Sequence, residues 1–209
     1  MAALNAEPSN LWRICLASPF LFLSVACFYL MNIISLIQDF PSPSATGRIE
    51  WSSGSLPILQ KFHLIPFLDE VFRDITVGFA PSTLGYDDVS RWSMTGFITD
   101  CGILYMVWLL ESSRPSNNFS LVRFPAIVAT LAQLGGGGVI IPIYYFFSIA
   151  FRPPTTSQSS LERRVNVGNA WIFLPLILIF HSIPAFAMYF SPELESRHYW
   201  TWFWQLYPV

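Results

Sequence analysis

Charge is scarce in this chain. Only 11% of its 209 residues are Asp, Glu, Lys or Arg, less than half of the ~25% with which a soluble domain coats its surface. Lysine is nearly missing: Lys61 is the single one, the arginines are scattered, and the net charge is −2. No basic stripe exists to neutralise phosphates, which excludes nucleic acid as a partner. Cysteine is also sparse. Cys15, Cys27 and Cys101 lie in apolar stretches, never as C-x-x-C, and this excludes a disulfide framework and a zinc ribbon. They read as small buried hydrophobes. No H-x-x-x-H or Glu-x-x-His spacing at His181 points to a metal, and no Gly-Lys-Ser/Thr follows the glycine run to make a phosphate loop. No metal and no cofactor is expected.

What the chain has in abundance is apolar surface, with 53% hydrophobic and 17% aromatic residues and a mean hydropathy of +0.48. About twenty apolar residues cross a bilayer as a helix, and runs of that order occur at residues 11–37, 92–110, 124–151 and 170–190. The third is broken at its centre by Gly135-Gly136-Gly137-Gly138 and Pro142, and the fourth contains Pro175 and Pro184. The first is too long for the core of a signal peptide and reads as an anchor that stays. Between the first two runs, Phe67, Leu68, Val71, Phe72 and Ile75 fall on one arc of a helical wheel. Asp69, Glu70, Arg73 and Asp74 fall on the other, and Pro66 suits the first turn. Residues 66–77 are therefore expected as an amphipathic helix at the membrane surface. The Ser/Pro/Gly-rich linker Pro41–Leu56 is expected to be irregular, as is the polar loop Arg152–Asn169.

The fold class expected is all-α: one polytopic transmembrane bundle over residues 1–209, with about four spans, one interfacial helix and the lipid bilayer as its partner. Counting arginines in the loops places both termini away from the cytosol. Asn118-Phe119-Ser120 is a glycosylation sequon on that side, close to the membrane. The terminal run Tyr199 to Tyr207 is an aromatic cluster suited to the headgroup level, and it could be the foot of a further span.

Asp100 is the residue that most calls for a function. It stands nine residues after Arg91 and eleven before Glu111, near the middle of the second span. A charge there costs ~2.5–3.5 kcal/mol on insertion scales, so Asp100 is expected to face a bundle interior or cavity. A carboxyl group in such surroundings keeps its proton and can donate it; the competing reading is a hydrogen bond that holds helices together. His181 lies at a similar depth in the fourth span. It can relay a proton, pair with Asp100 or bind a metal, or it can be hydrogen-bonded to a neighbouring helix. Glu111 shares a helix face with Asp100 but lies ~16 Å away, at the mouth of the same cavity or simply at the end of the span. The Asp69/Glu70 pair reads as a solvated face, with an ordinary Asp69–Arg73 ion pair.

Broken helices in mid-membrane flank binding sites, although Ala132 and Gly136 also have the spacing of close helix packing. Gln133 adds a polar group to either version. Tyr105, Trp108, Tyr144, Tyr145 and Trp171 are the aromatics placed to line a site, and their faces stabilise cations.

The pattern Asp100…Glu111-Ser112-Ser113-Arg114…Gly135-Gly136-Gly137-Gly138-Val139-Ile140-Ile141-Pro142-Ile143-Tyr144-Tyr145 resembles small integral membrane proteins of fungal secondary-metabolite clusters, some of them membrane-bound terpene cyclases of meroterpenoid and indole-diterpene pathways. The resemblance covers residues 60–190. It implies an enzyme of an endomembrane such as the endoplasmic reticulum. Such an enzyme uses embedded carboxylates to protonate an epoxide or alkene of a prenylated substrate, which then closes into rings. No catalytic residue is carried over from the resemblance. Asp100 is assigned as acid from its depth, with His181 or Glu111 tuning it and Tyr105, Trp108, Gln133, Tyr144 and Trp171 as candidate substrate contacts. Two other readings stand beside it: a small transporter, against which no inverted repeat is visible, and a structural membrane subunit without catalysis.

Overall fold

The computed structural model describes residues 9–31, 47–118, 120–152, 164–165 and 167–207. It is helical apart from one small hairpin, in agreement with the all-α class. Among the described residues, three helices are long and apolar enough to cross a membrane: α1 (Asn10–Leu30), α3 (Asp88–Ser112) and α6 (Phe173–Phe190). The expected third span is instead two shorter apolar helices, α4 (Pro125–Gly135) and α5 (Gly137–Ala150). Between them Gly136 adopts φ +87°, ψ +120°, a conformation that only glycine enters at no cost. Residues 32–37 of the expected first span, most of the Arg152–Asn169 loop and Phe119 of the sequon lie outside the described residues.

Two compact units partition the chain. The first comprises described residues of 1–34 and 105–174. Here α1 runs antiparallel to α5: Arg13 Nη1 donates to the Arg152 carbonyl at 2.6 Å, and the buried Ser24 hydroxyl donates to the Val139 carbonyl at 2.9 Å. Gly138 allows the close approach, since a Cβ there would meet Met31 Sδ at 3.0 Å and Cys27 Cβ at 3.3 Å. Within α1, Pro19 has no N–H for the Cys15 carbonyl, and the Ser18 hydroxyl takes its place at 2.8 Å. Ser9 caps the helix by accepting the Trp12 N–H. Cys15, expected to be buried, is exposed.

The second unit comprises described residues of 35–104 and 175–208. It opens with a hairpin, β1 (Arg48–Trp51) and β2 (Gly54–Pro57), where the sequence led us to expect irregular chain. The antiparallel register sets Ile49 opposite Leu56. Both are buried in a cluster with Ile58, Val77, Ala80 and Leu84, and this shared apolar face outweighs the local Ser/Gly composition.

Helix α2 (Pro66–Gly78) forms where the amphipathic pattern placed it, but turned about its axis. Its buried stripe is Asp69, Phe72, Thr76 and Val77, while Phe67 is exposed. A π-helical turn (Pro81–Gly85) leads into α3. α6 carries a second π turn over Leu178–Ser182, closed by the Ile183 N–H to the Leu178 carbonyl, just ahead of Pro184. The aromatic run near the end is helix α7 (Leu194–Trp204), which packs on α6 and α2. Trp202 is fully buried and Trp204 nearly so, while Tyr199 of the same run is exposed.

Candidate functional site

His181 sits in the π turn of α6 and is 2% exposed. Its Nδ1 accepts the indole N–H of Trp204 at 3.2 Å, and Nε2 lies 2.9 Å from the Ile98 carbonyl on α3. An indole only donates and a carbonyl only accepts, so the pair of contacts fixes the neutral Nε2–H tautomer and occupies both ring nitrogens. Tyr207 covers the ring at a centroid distance of 4.3 Å. This is the helix-bonding role among the readings open to His181. Asp100 is not one of its partners.

Asp100 lies two residues beyond the carbonyl that His181 holds, yet its side chain points the other way. It is exposed, and it makes no hydrogen bond or ion pair with any described residue. The expectation that it faces the interior of the bundle is therefore corrected. The inward positions of that stretch are Ile98, buried beneath Met188 and Tyr189, and Gly102, against which His181 rests.

In the other unit, Glu111 is half-buried and pairs with Arg114 at 3.0 Å, and its backbone carbonyl accepts from Asn117 Nδ2 at 2.8 Å. It marks the end of α3. Beside it Tyr105, Trp108 and Tyr144 are buried, with the Trp108 and Tyr144 rings 4.9 Å apart and the Trp108 indole donating to the Tyr145 hydroxyl at 3.0 Å. Phe20 closes on Tyr145 at 5.5 Å. Gln133 is half-buried and has a bonding partner, whereas Trp171 is exposed. A small cavity of about 180 Å³ opens nearby between Ser120, Leu121, Phe147, Ser148 and Phe151. None of the described residues forms a group of three or more side chains able to hold a metal.

A polar cluster that the sequence did not disclose joins α2, α7 and the segment ahead of α2. Asp69 is buried and accepts the backbone N–H groups of Phe62 at 2.9 Å and His63 at 2.8 Å. These bonds, that of His63 first, hold its carboxyl below the usual range. It is a loop cap, which corrects its assignment to a solvated face. Arg73, expected to pair with Asp69, lies instead 3.9 Å from Asp74 and donates to Gln60 at 3.2 Å.

Burial draws the His63 imidazole down, partly offset by the Asp69 charge. His198 is buried under Trp202, and its Nε2 accepts both the Leu59 N–H at 3.2 Å and the Trp202 indole at 3.3 Å. Burial pushes its pKa down to about 4. The one signal for this arrangement in the sequence is the i, i+4 spacing of His198 and Trp202.

A family profile described as the CtvD domain matches residues 12–209, and the chain belongs to that family. Among curated relatives, the FAD-dependent monooxygenase verC1 of Penicillium polonicum is 25% identical over 96% of this chain and 25% of its own length. The terpene cyclase atmA of Aspergillus flavus is 26% identical over 91% of this chain and 53% of its own. The terpene cyclase sdgD of Emericella nidulans is 26% identical over 75% of this chain and 48% of its own. The chain thus spans about a quarter of the length of that monooxygenase and about half that of the cyclases. No solved structure matches it.

Proposed function

We propose that this chain is a membrane-embedded terpene cyclase of an endomembrane, acting on a lipid-soluble prenylated substrate of the meroterpenoid type. The observation that carries the reading is the likeness to the cyclase atmA along 91% of this chain. Asp100 is the proposed acid. It gives its proton to an epoxide oxygen or alkene carbon, the prenyl chain closes through carbocations, and the final cation returns a proton to a base, so that product and substrate have equal mass. Asp100 suits the role because no described residue claims its carboxyl group and the helix that carries it is long and apolar enough to cross a membrane. His181 sets the position of α3 and does not relay the proton, because both its nitrogens are engaged. Taken by itself, the other unit gathers Trp108, Tyr144 and Tyr145 beside Glu111, and aromatic faces of this kind suit developing positive charge.

Membranes carrying the wild-type or the Asp100→Asn chain, given farnesylated and geranylgeranylated aromatic epoxides, provide the test. A new chromatographic peak of unchanged mass is expected from the wild type and is lost in an equally abundant Asp100→Asn protein. Well-expressed wild type that yields no such peak with any substrate would sink the reading.

One observation favours a second reading. Nearly the whole chain corresponds to a quarter of a protein named for flavin-dependent oxidation, so the segment could serve as the non-catalytic membrane part beside an oxidative enzyme. In that case Asp100→Asn changes nothing in turnover.

A further inference from the structure

Two guanidinium groups converge at one end of α3 and α6 with no acidic partner. Arg91 starts α3 and reaches across to donate from Nη2 to the Tyr189 carbonyl at 2.8 Å, its Cζ lying 5.7 Å above the Phe190 ring. Arg197, on α7, donates from Nε to the Ser191 carbonyl at 2.6 Å and from Nη1 to the Leu84 carbonyl at 3.5 Å. The Nη1 atoms of both residues crowd one point: a Cβ on Gly85 would lie 2.7 Å from that of Arg91 and 3.5 Å from that of Arg197. Gly85, with φ +78°, has no side chain there, and the Arg91 guanidinium occupies the place that one would take.

Neither arginine has a carboxylate within 4 Å among the described residues. The acids nearest in sequence, Asp88 before Arg91 and Glu195 and Glu193 before Arg197, are exposed and form no ion pair with either, and Asp87 is engaged by the Ser90 hydroxyl and the N–H groups of Val89 and Ser90. Arg91 Nε is out of contact with solvent and bonds nothing. Like charges this close repel unless an anion lies between them. The carbonyls they touch satisfy some of their donors and none of their charge.

We infer that Arg91 and Arg197, over Gly85, form a binding site for a phosphate group at the membrane surface. A phosphate has oxygens enough to engage two guanidinium forks at once, and it carries the charge that the pair lacks. The site stands where α3 begins and α6 ends, the level of lipid headgroups, with Trp92 beside Phe190 at 6.4 Å. The phosphate belongs to an anionic phospholipid or to a soluble phosphate ester, and the two are separable. The inference is independent of the cyclase reading, since binding needs no turnover.

The full chain, purified in uncharged detergent and phosphate-free buffer, is melted while its tryptophan fluorescence is followed, with dihexanoyl phosphatidic acid, inorganic phosphate or sodium hexanoate added at equal ionic strength. Stabilisation by the phosphate compounds and not by hexanoate is expected, with apparent affinity weakened roughly tenfold or more in Arg197→Gln. Should that variant fold poorly, Arg197→Lys keeps the charge, loses the fork, and is expected to weaken binding in the same sense. A response to phosphatidic acid alone assigns the site to lipid; a response to inorganic phosphate as well assigns it to soluble phosphates. Wild type that responds no more to either phosphate than to hexanoate, or variants that respond like the wild type, overturn the inference.

Discussion

A side chain on Gly102 would put its Cβ 2.6 Å from Cδ2 and 2.7 Å from Nε2 of His181, so the bare backbone at Gly102 is what admits the imidazole to the Ile98 carbonyl. The ring is trapped between α3, Trp204 and Tyr207 and has nowhere to retreat. Gly102→Ala is therefore expected to destabilise the protein by about 1–3 kcal/mol, the usual cost of forcing extra volume into a packed interior. Gly96, six residues earlier on the same helix, faces open space. Gly96→Ala is expected to be neutral or to gain up to about 1 kcal/mol in helix propensity. Thermal melts of both variants in detergent check the pair, and equal behaviour would refute the packing argument.

His198 makes stability depend on pH. Its Nε2 accepts two hydrogen bonds and cannot also hold a proton, and burial lowers its pKa from 6.5 to about 4. Between those values the unfolded chain takes up a proton that the folded one refuses, so stability is constant above about pH 6.5 and falls as the pH drops towards 4. The full loss is of the order of 3 kcal/mol, at ~1.4 kcal/mol per unit. His198→Gln keeps an acceptor for Leu59 and does not titrate. Its melting temperature is expected to fall less between pH 7 and pH 5 than that of the wild type, and parallel curves would assign the acid lability to other groups.

The contrast between these histidines shows how far the sequence could be read. Run lengths and hydropathy located the three described helices long and apolar enough to cross a membrane, because crossing a bilayer is a one-dimensional requirement written into consecutive residues. The break at Gly136 was legible for the same reason, since glycine is scarce in helix interiors for conformational reasons. The hairpin at Arg48–Pro57 was hidden, because its stability comes from Ile49 and Leu56 meeting Val77 and Leu84, far along the chain. The amphipathic wheel found α2 but not its rotation, because Asp69 turns inward for the N–H groups of Phe62 and His63. Depth along a span placed Asp100 and His181 at one level; depth carries no information about which side of the helix each occupies, and there the two part company. Arg91 and Arg197 were counted only as charges in loops, and their meeting over Gly85 is a tertiary fact.

The glycine run is expected to divide into one position that depends on conformation and one that depends on space. Gly136 holds φ +87°, so Gly136→Ala is strained whatever surrounds it and should cost about 1–3 kcal/mol. Gly138 is helical, and a methyl group there meets the flexible Met31 side chain and Cys27. Gly138→Ala should be the milder change, and Gly138→Leu should separate α1 from α5. Cysteine cross-linking between Ser24→Cys and Val139→Cys reads that separation directly, since the Ser24 hydroxyl reaches the Val139 carbonyl in the native chain. An intact cross-link in Gly138→Leu would contradict this account of the α1–α5 contact.

Asp100 and His181 should respond oppositely to replacement. His181→Ala leaves the Trp204 indole and the Ile98 carbonyl facing a buried gap, each a polar group without its partner, and is expected to lower the amount of folded protein in membranes. Asp100→Asn exchanges a carboxyl group for an amide on an exposed side chain that bonds no described residue, so abundance should hold. If Asp100 is the proton donor, turnover per molecule falls by two orders of magnitude or more in Asp100→Asn, about the contribution of a positioned general acid. Whatever His181→Ala protein survives should keep its turnover per molecule. Quantifying protein by fluorescence-detected size exclusion and product from the same membranes separates the two quantities. The reverse pattern, abundance lost with Asp100→Asn and turnover lost with His181→Ala, would mean that the exposed carboxylate holds helices together and that the histidine does the chemistry.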